Sequence, residues 1–281
     1  MRNLIVLIAM LFTFYGKAEP AQHIMPIDTK VWFDVDLKHY LEDNELVSIT
    51  VNESPLQVIF QTYMNAPKKG IAVILPDIGQ PLLSSNGSQY LHQALSDDGF
   101  DTYVLPSPAI LYESLEIPDF SNEAPEQLNA KTVFFQSEDM LNEYKNELAA
   151  RFQALSQSLT KTRDEKFVVI AVGTTAGVFA ELLSEQPSLP VDALITISAH
   201  LPHPKRNKDL AATFSLVSPP LLDIYYSHDS PFITQSTYER MRWAKRNSKF
   251  DYRQRELFGQ SHELRQHQRL RKELNGFLSH L

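Results

Sequence analysis

Two short runs, Ile71-Ala72-Val73-Ile74-Leu75 and Phe167-Val168-Val169-Ile170-Ala171-Val172, constrain this chain more than any other feature. Neither alternates apolar with polar residues. A strand with one face in water needs that alternation, so both runs are expected to be strands covered on both faces, as in a parallel sheet between two layers of helices. Six further segments have strand character: Leu46 to Val51, Leu56 to Tyr63, Thr102 to Leu105, Ala193 to Ser198, Leu221 to Tyr226 and Tyr252 to Leu257. The first two flank Asn52-Glu53-Ser54-Pro55, a turn sequence, and read as an antiparallel hairpin at an edge.

Helical patterns fill the intervals. Ser137 followed by Glu138 and Asp139 is an N-cap with acids in the first turn, and Leu141, Tyr144, Leu148, Phe152, Leu155 and Leu159 then recur at three- and four-residue spacing. Shorter helices are expected over Tyr90 to Leu95, Gly177 to Ser184, Thr237 to Arg246 and His262 to Leu278. Strands alternating with helices through right-handed crossovers give one doubly wound α/β domain with a mostly parallel eight-stranded sheet and helices on both faces.

The first eighteen residues stand outside that domain. Met1-Arg2-Asn3 is a short positive start, Leu4 to Tyr15 is apolar, and Gly16-Lys17-Ala18 places small residues where a signal peptidase reads. Cleavage after Ala18 is expected, because the apolar run falls short of the ~20 residues that span a bilayer. Residues 19–281 then form the single domain, and the protein is expected in the periplasm with no transmembrane segment. Cleavage removes Arg2 and Lys17 and no acid, leaving 24 basic against 34 acidic residues, a net charge of -10. An acidic chain lacks the surplus of cations that phosphate-backbone binding needs, which excludes a nucleic-acid partner. The absence of cysteine excludes disulfides, thiolate metal sites and a cysteine nucleophile. No cofactor is expected.

After the strand ending at Val172 comes Gly173-Thr174-Thr175-Ala176-Gly177. Small residues around a polar one between a buried strand and a helix suit a nucleophile elbow, where a tight turn excludes bulk. Asp229 follows the seventh strand and His262 the eighth. The order nucleophile, acid, histidine, together with the order of the strands and the loop Asp77-Ile78-Gly79-Gln80 after the third, resembles the α/β-hydrolase superfamily over residues 46 to 281. More narrowly, Ile74-Leu75-Pro76-Asp77-Ile78-Gly79-Gln80, Leu222-Asp223-Ile224-Tyr225-Tyr226 and Asp251-Tyr252-Arg253-Gln254-Arg255 resemble an uncharacterised family of exported Gram-negative bacterial α/β-hydrolase-like proteins.

That resemblance implies hydrolysis of ester or related acyl bonds. Thr175 would attack the carbonyl of an acyl substrate, His262 would relay the proton and Asp229 would orient the imidazole, with Asp223 as the alternative acid. Backbone N–H groups of Ala176 and of Ile78 or Gly79 would hold the oxyanion, and Gly173 and Gly177 would make room for the turn. The elbow motif carries threonine where serine is usual. A β-branched residue at the positive φ of an elbow is strained, so a second reading has Thr175 capping the following helix in a non-catalytic protein that binds a ligand or an envelope partner. A metal site built on His200, His228 and Asp229 is the weakest reading, since His200-Leu201-Pro202-His203 matches no ligand spacing, and no metal is expected.

Charge is uneven along the chain. Pro106 to Gln136 holds four prolines and a cluster of acids, as expected of an insert or binding loop. Tyr238 to Lys272 is strongly basic, and could meet an envelope partner or lipid.

Overall fold

The computed structural model describes residues 45–83, 87–108 and 137–281, together with Val35, Leu37, His39, Leu41 and Glu42. The expected signal peptide and residues 109–136 of the acidic insert lie outside the described residues. The strands are β1 (Leu46–Val51), β2 (Ser54–Gln61), β3 (Gly70–Leu75), β4 (Phe100–Val104), β5 (Lys166–Val172), β6 (Ala193–Ile197), β7 (Leu221–Tyr226) and β8 (Tyr252–Leu257). The helices are α1 (Ser88–Asp97), α2 (Glu138–Ser158), α3 (Gly173–Glu185), α4 (Pro204–Leu216), the short α5 (Pro231–Thr234), α6 (Thr237–Arg246) and α7 (Leu264–Leu278).

All eight strands form one sheet in the order β1-β2-β4-β3-β5-β6-β7-β8. The pairs β1–β2 and β2–β4 are antiparallel and the rest are parallel. The two unalternating runs are neighbours at the centre, with Ile71 opposite Phe167 and Leu75 opposite Ala171. Their odd-numbered residues face a core shared with Leu141, Tyr144, Phe152 and Phe179 of α2 and α3. Their even-numbered residues face Leu91 and Leu95 of α1 and Leu270, Leu274 and Phe277 of α7. Both faces are dry, which is why neither run could carry a polar residue. Ser137 caps α2 as the sequence predicts, accepting the Met140 N–H at 3.2 Å. Among the described residues no helix is long and apolar enough to cross a membrane.

Helix α4 escaped the sequence reading. Its first turn is polar, but Pro204 opens it at a position where a missing N–H costs nothing, and Leu210, Ala211 and Phe214 bury one face. Helix α3 begins at Gly173, four residues earlier than expected.

One ion pair lies wholly inside. Asp223 and Arg240 have 0 % exposure, and Arg240 Nη1 lies 3.1 and 3.2 Å from the two carboxylate oxygens. Thr196, Tyr252 and Gln254 also donate to Asp223. Arg240 Nη2 donates to Ala199 O and Ser236 Oγ, while the guanidinium lies over the Phe214 ring. Burial of such a pair costs desolvation that its partners offset, whereas removing one member leaves a naked charge. Replacement of Arg240 by alanine is therefore expected to cost about 3–5 kcal/mol, read from urea unfolding midpoints.

His92 on α1 is buried and its Nδ1 has no hydrogen-bond partner. Burial, only slightly opposed by Glu45, lowers its pKa from the ordinary 6.5 to about 4. The fold thus takes the neutral ring, so the stabilisation is complete above pH 6.5 and is lost as pH falls toward 4. Unfolding at pH 7 and pH 4 is expected to show a loss of up to about 3 kcal/mol from this residue that His92→Gln lacks.

Candidate functional site

The parallel strands all end at one edge of the sheet, where the loops converge. Asp77 follows β3, Gly173 follows β5, Ser198 and His200 follow β6, Asp229 follows β7 and His262 follows β8. The sequence therefore brings its polar residues to one edge. It does not assemble them in the expected way.

Thr175 lies in the first turn of α3 with 0 % exposure. Its backbone is absent from the positive-φ residues, and its hydroxyl pairs with Tyr144 Oη at 2.6 Å, in toward α2. Burial pushes the Tyr144 phenol up to about 12, so it stays protonated and can donate to the threonine. His262 is exposed, and among the described residues it makes no hydrogen bond to Thr175 or Asp229. Asp229 is committed elsewhere, accepting Ser198 Oγ at 2.7 Å and the Tyr226 N–H at 2.8 Å through one oxygen. Asp223, the alternative acid, belongs to the buried pair with Arg240. The three expected catalytic side chains do not form a hydrogen-bonded triad.

The positive φ of the turn falls on Gly173, at +59°. It is the first residue after β5, and the helix starts at once, so Gly173 and not Thr175 holds the apex of the strand-to-helix turn. A side chain there would collide with Asp77: a Cβ at Gly173 would lie 2.1 Å from the Asp77 carboxyl carbon. Asp77 Oδ1 accepts the N–H of Ile78 at 2.8 Å and of Thr174 at 2.7 Å, and the Thr175 N–H also points to this carboxylate. In an elbow site the oxyanion is held by the N–H of the residue after the apex and by one from the loop after the third strand. Thr174 and Ile78 stand in those two positions. Of the residues expected as donors, Ile78 gives its N–H to Asp77, Ala176 is buried in α3 and Gly79 is exposed at φ +67°. The oxyanion donors hold a carboxylate from the protein itself.

Burial raises the pKa of Asp77, while the charge of His200 and the three N–H groups oppose that rise. His200 was weighed in sequence as a metal ligand alone. Its Nε2 lies 3.3 Å from Thr174 Oγ1 and its Nδ1 lies 3.0 Å from Ser198 O. Since a carbonyl can only accept, Nδ1 carries a proton toward Ser198 O. Ser198 is held at φ +51°, uncommon for a residue with a side chain. Gly177 serves a different need from the one expected, because a Cβ there would come within 2.5 Å of His200 O. Among the described residues no cluster of His, Asp and Glu could hold a metal ion. His228 packs its ring near Phe258, centroids 5.5 Å apart, and His203 caps α4 by accepting the Arg206 N–H.

A sheet of this order, with a tight turn from β5 into a helix and two facing sets of N–H groups, is the α/β-hydrolase fold. The chain belongs to the family described as Protein of unknown function (DUF3530), whose model matches residues 26–280. No curated protein sequence matches it. Solved structures of similar fold include a dienelactone hydrolase from Anabaena variabilis ATCC 29413, at 17% identity and TM-score 0.57, covering 84% of this chain and 96% of that one. Est1E from Butyrivibrio proteoclasticus shares 8% identity at TM-score 0.59, covering 84% and 98%. The Pyrococcus furiosus esterase Pf2001 shares 10% identity at TM-score 0.56, covering 84% and 89%. Identities this low establish the shared fold alone.

The buried hydroxyl pair is separable from any chemistry by a double-mutant cycle. Thr175→Val and Tyr144→Phe each break this buried hydrogen bond and are expected to cost about 1–3 kcal/mol, with the double variant costing less than the two combined. Urea denaturation of the four proteins measures the coupling.

Proposed function

We propose that this protein is an exported member of the α/β-hydrolase superfamily that does not cleave esters through a hydroxyl nucleophile, and that its carboxyl-edge loops bind without turnover. The observation that carries this reading is the seat of Asp77. Its carboxylate occupies both oxyanion donors directly above Gly173, so the apex has no side chain and the donors have no vacancy. A tetrahedral oxyanion would have to displace an anion already bound, and the electrostatic stabilisation on which acyl transfer depends would be lost. The orientation of Thr175 toward Tyr144 supports the same reading, as does the exposed, unpaired position of His262. Names of fold relatives such as esterase and dienelactone hydrolase suggest the ancestral chemistry. The start Met1-Arg2-Asn3, the apolar run and Gly16-Lys17-Ala18 support export with cleavage after Ala18.

The chain recovered from the periplasmic fraction is expected to begin at Glu19 and to release no p-nitrophenol from short acyl esters above the buffer rate, nor should Thr175→Ser. A doubly changed protein, Asp77→Gly with Gly173→Ser, frees the donors and restores a hydroxyl at the apex. It is expected to gain covalent labelling by a fluorophosphonate that the natural chain lacks. Ester turnover by the natural chain that disappears in Thr175→Ala would overturn the reading and restore Thr175 as the nucleophile.

A further inference from the structure

Among the described residues the sheet ends at β8, whose partner within it is β7 alone. Leu221 N–H donates to Asp251 O at one end of this pair, and Ser227 N–H donates to Leu257 O at the other. Odd-numbered positions therefore bond inward, and in a parallel ladder the even-numbered Gln254 and Glu256 turn their N–H and C=O groups to the open edge. Arg255 Nη1 lies 3.2 Å from Gln254 O, so one of these acceptors is covered by a side chain and not by a strand.

Beside this edge runs a groove of about 430 Å³ between α6 and β8. Four cations line it, Lys245, Lys249, Arg253 and Arg255, and no acid does. Lys249 is paired with Asp251 and Arg255 with Glu273 of α7; Lys245 has no carboxylate partner among the described residues, and Arg253, also without one, lies with its guanidinium over the Phe277 ring of α7. Apolar surface is present too: Met241 lines the groove, and Phe250 at its end is 93 % exposed.

We propose that the groove between α6 and β8 takes an extended acidic segment of a partner protein, which adds to the sheet as a further strand beside β8. Main-chain hydrogen bonds to Gln254 and Glu256 would supply affinity, Lys245 and Arg253 would select acids, and Phe250 with Met241 would cover an apolar side chain. A lipid surface could meet the cations but has no backbone to offer the strand. A second copy pairing edge to edge would set Lys245 and Arg253 against their own kind. The charge of the groove and the open ladder together favour an acidic polypeptide.

The experiment uses a fluorescein-labelled peptide alternating glutamate and valine, titrated with the mature protein and followed by anisotropy. Binding is expected, weaker by about tenfold or more when alternate peptide nitrogens are methylated, since methylation removes the backbone donors that pair with β8. Lys245→Glu combined with Arg253→Glu, both on the surface, is expected to weaken it at least as much. Saturation with the peptide should slow amide hydrogen exchange at Gln254 and Glu256. Equal affinity for the methylated peptide, unchanged exchange at those two amides, or binding indifferent to charge reversal would overturn strand addition. So would binding to phosphatidylglycerol vesicles with none to the peptide.

Discussion

The carboxylate of Asp77 and the bare backbone of Gly173 occupy one volume, and the chemistry of the carboxyl edge follows from that exclusion. A Cβ at position 173 would sit 2.1 Å from the carboxyl carbon, so a nucleophile at the apex and an aspartate at position 77 cannot coexist in this geometry. Nor can the aspartate be removed without consequence. Its Oδ1 satisfies the N–H groups of Ile78 and Thr174 at a helix start, where unpaired donors attract an anion. Here that anion is covalently part of the chain.

Two carboxylates in this fold, Asp223 buried and Asp77 partly buried, offset the cost of desolvation by different means. Asp223 is neutralised by a guanidinium and three further donors, all inside the protein. Asp77 is held by backbone dipoles, with the charge of His200 nearby. The two centres are mechanically joined. Arg240 Nη2 donates to Ala199 O at 2.6 Å, and Ala199 lies between Ser198, held at φ +51°, and His200. The buried ion pair thus fixes the loop after β6 that presents the imidazole to Thr174. A structural role is sufficient reason for Asp223 to be an aspartate.

The fold was legible because its cause is periodic. Dry faces on both sides of a strand leave an unbroken apolar run, and three strands, β1, β7 and β8, match the expected bounds residue for residue. Helix α2 followed from its capping serine and its apolar stripe. Helix α4 did not, because its burial depends on three residues after a polar first turn. The site was legible as a place and illegible as an arrangement. Ile78, Gly173 and Asp229 were named and do lie at the carboxyl edge, yet the spacing Gly173-Thr174-Thr175-Ala176-Gly177 drew attention to its central residue. What decides the apex is where the strand ends, and that is Val172, three residues before Thr175. Asp77 was named only as part of a loop, since no local pattern reveals that its side chain reaches across the sheet to position 173. The one signal in the sequence was the glycine itself, followed at once by two threonines fit to start a helix.

A continuous polar chain therefore runs along the edge of the sheet: Asp77 to the Thr174 N–H, Thr174 Oγ1 to His200, His200 to Ser198 O, and Ser198 Oγ to Asp229. It crosses from the loop after β3 to the loop after β7, and every link is an interaction within the protein. Such a chain stabilises the converging loops, but each group it satisfies is one fewer that a substrate could engage without first breaking a bond. An edge of this kind can be shaped for recognition by its exposed parts, Ile78 to Gln80 and the faces of His200 and Phe232, while its polar interior stays closed. By contrast, the backbone of β8 lies at the far side of the sheet with its outer ladder open and cations beside it. The outer ladder of β8 is therefore separate from the polar chain at the carboxyl edge.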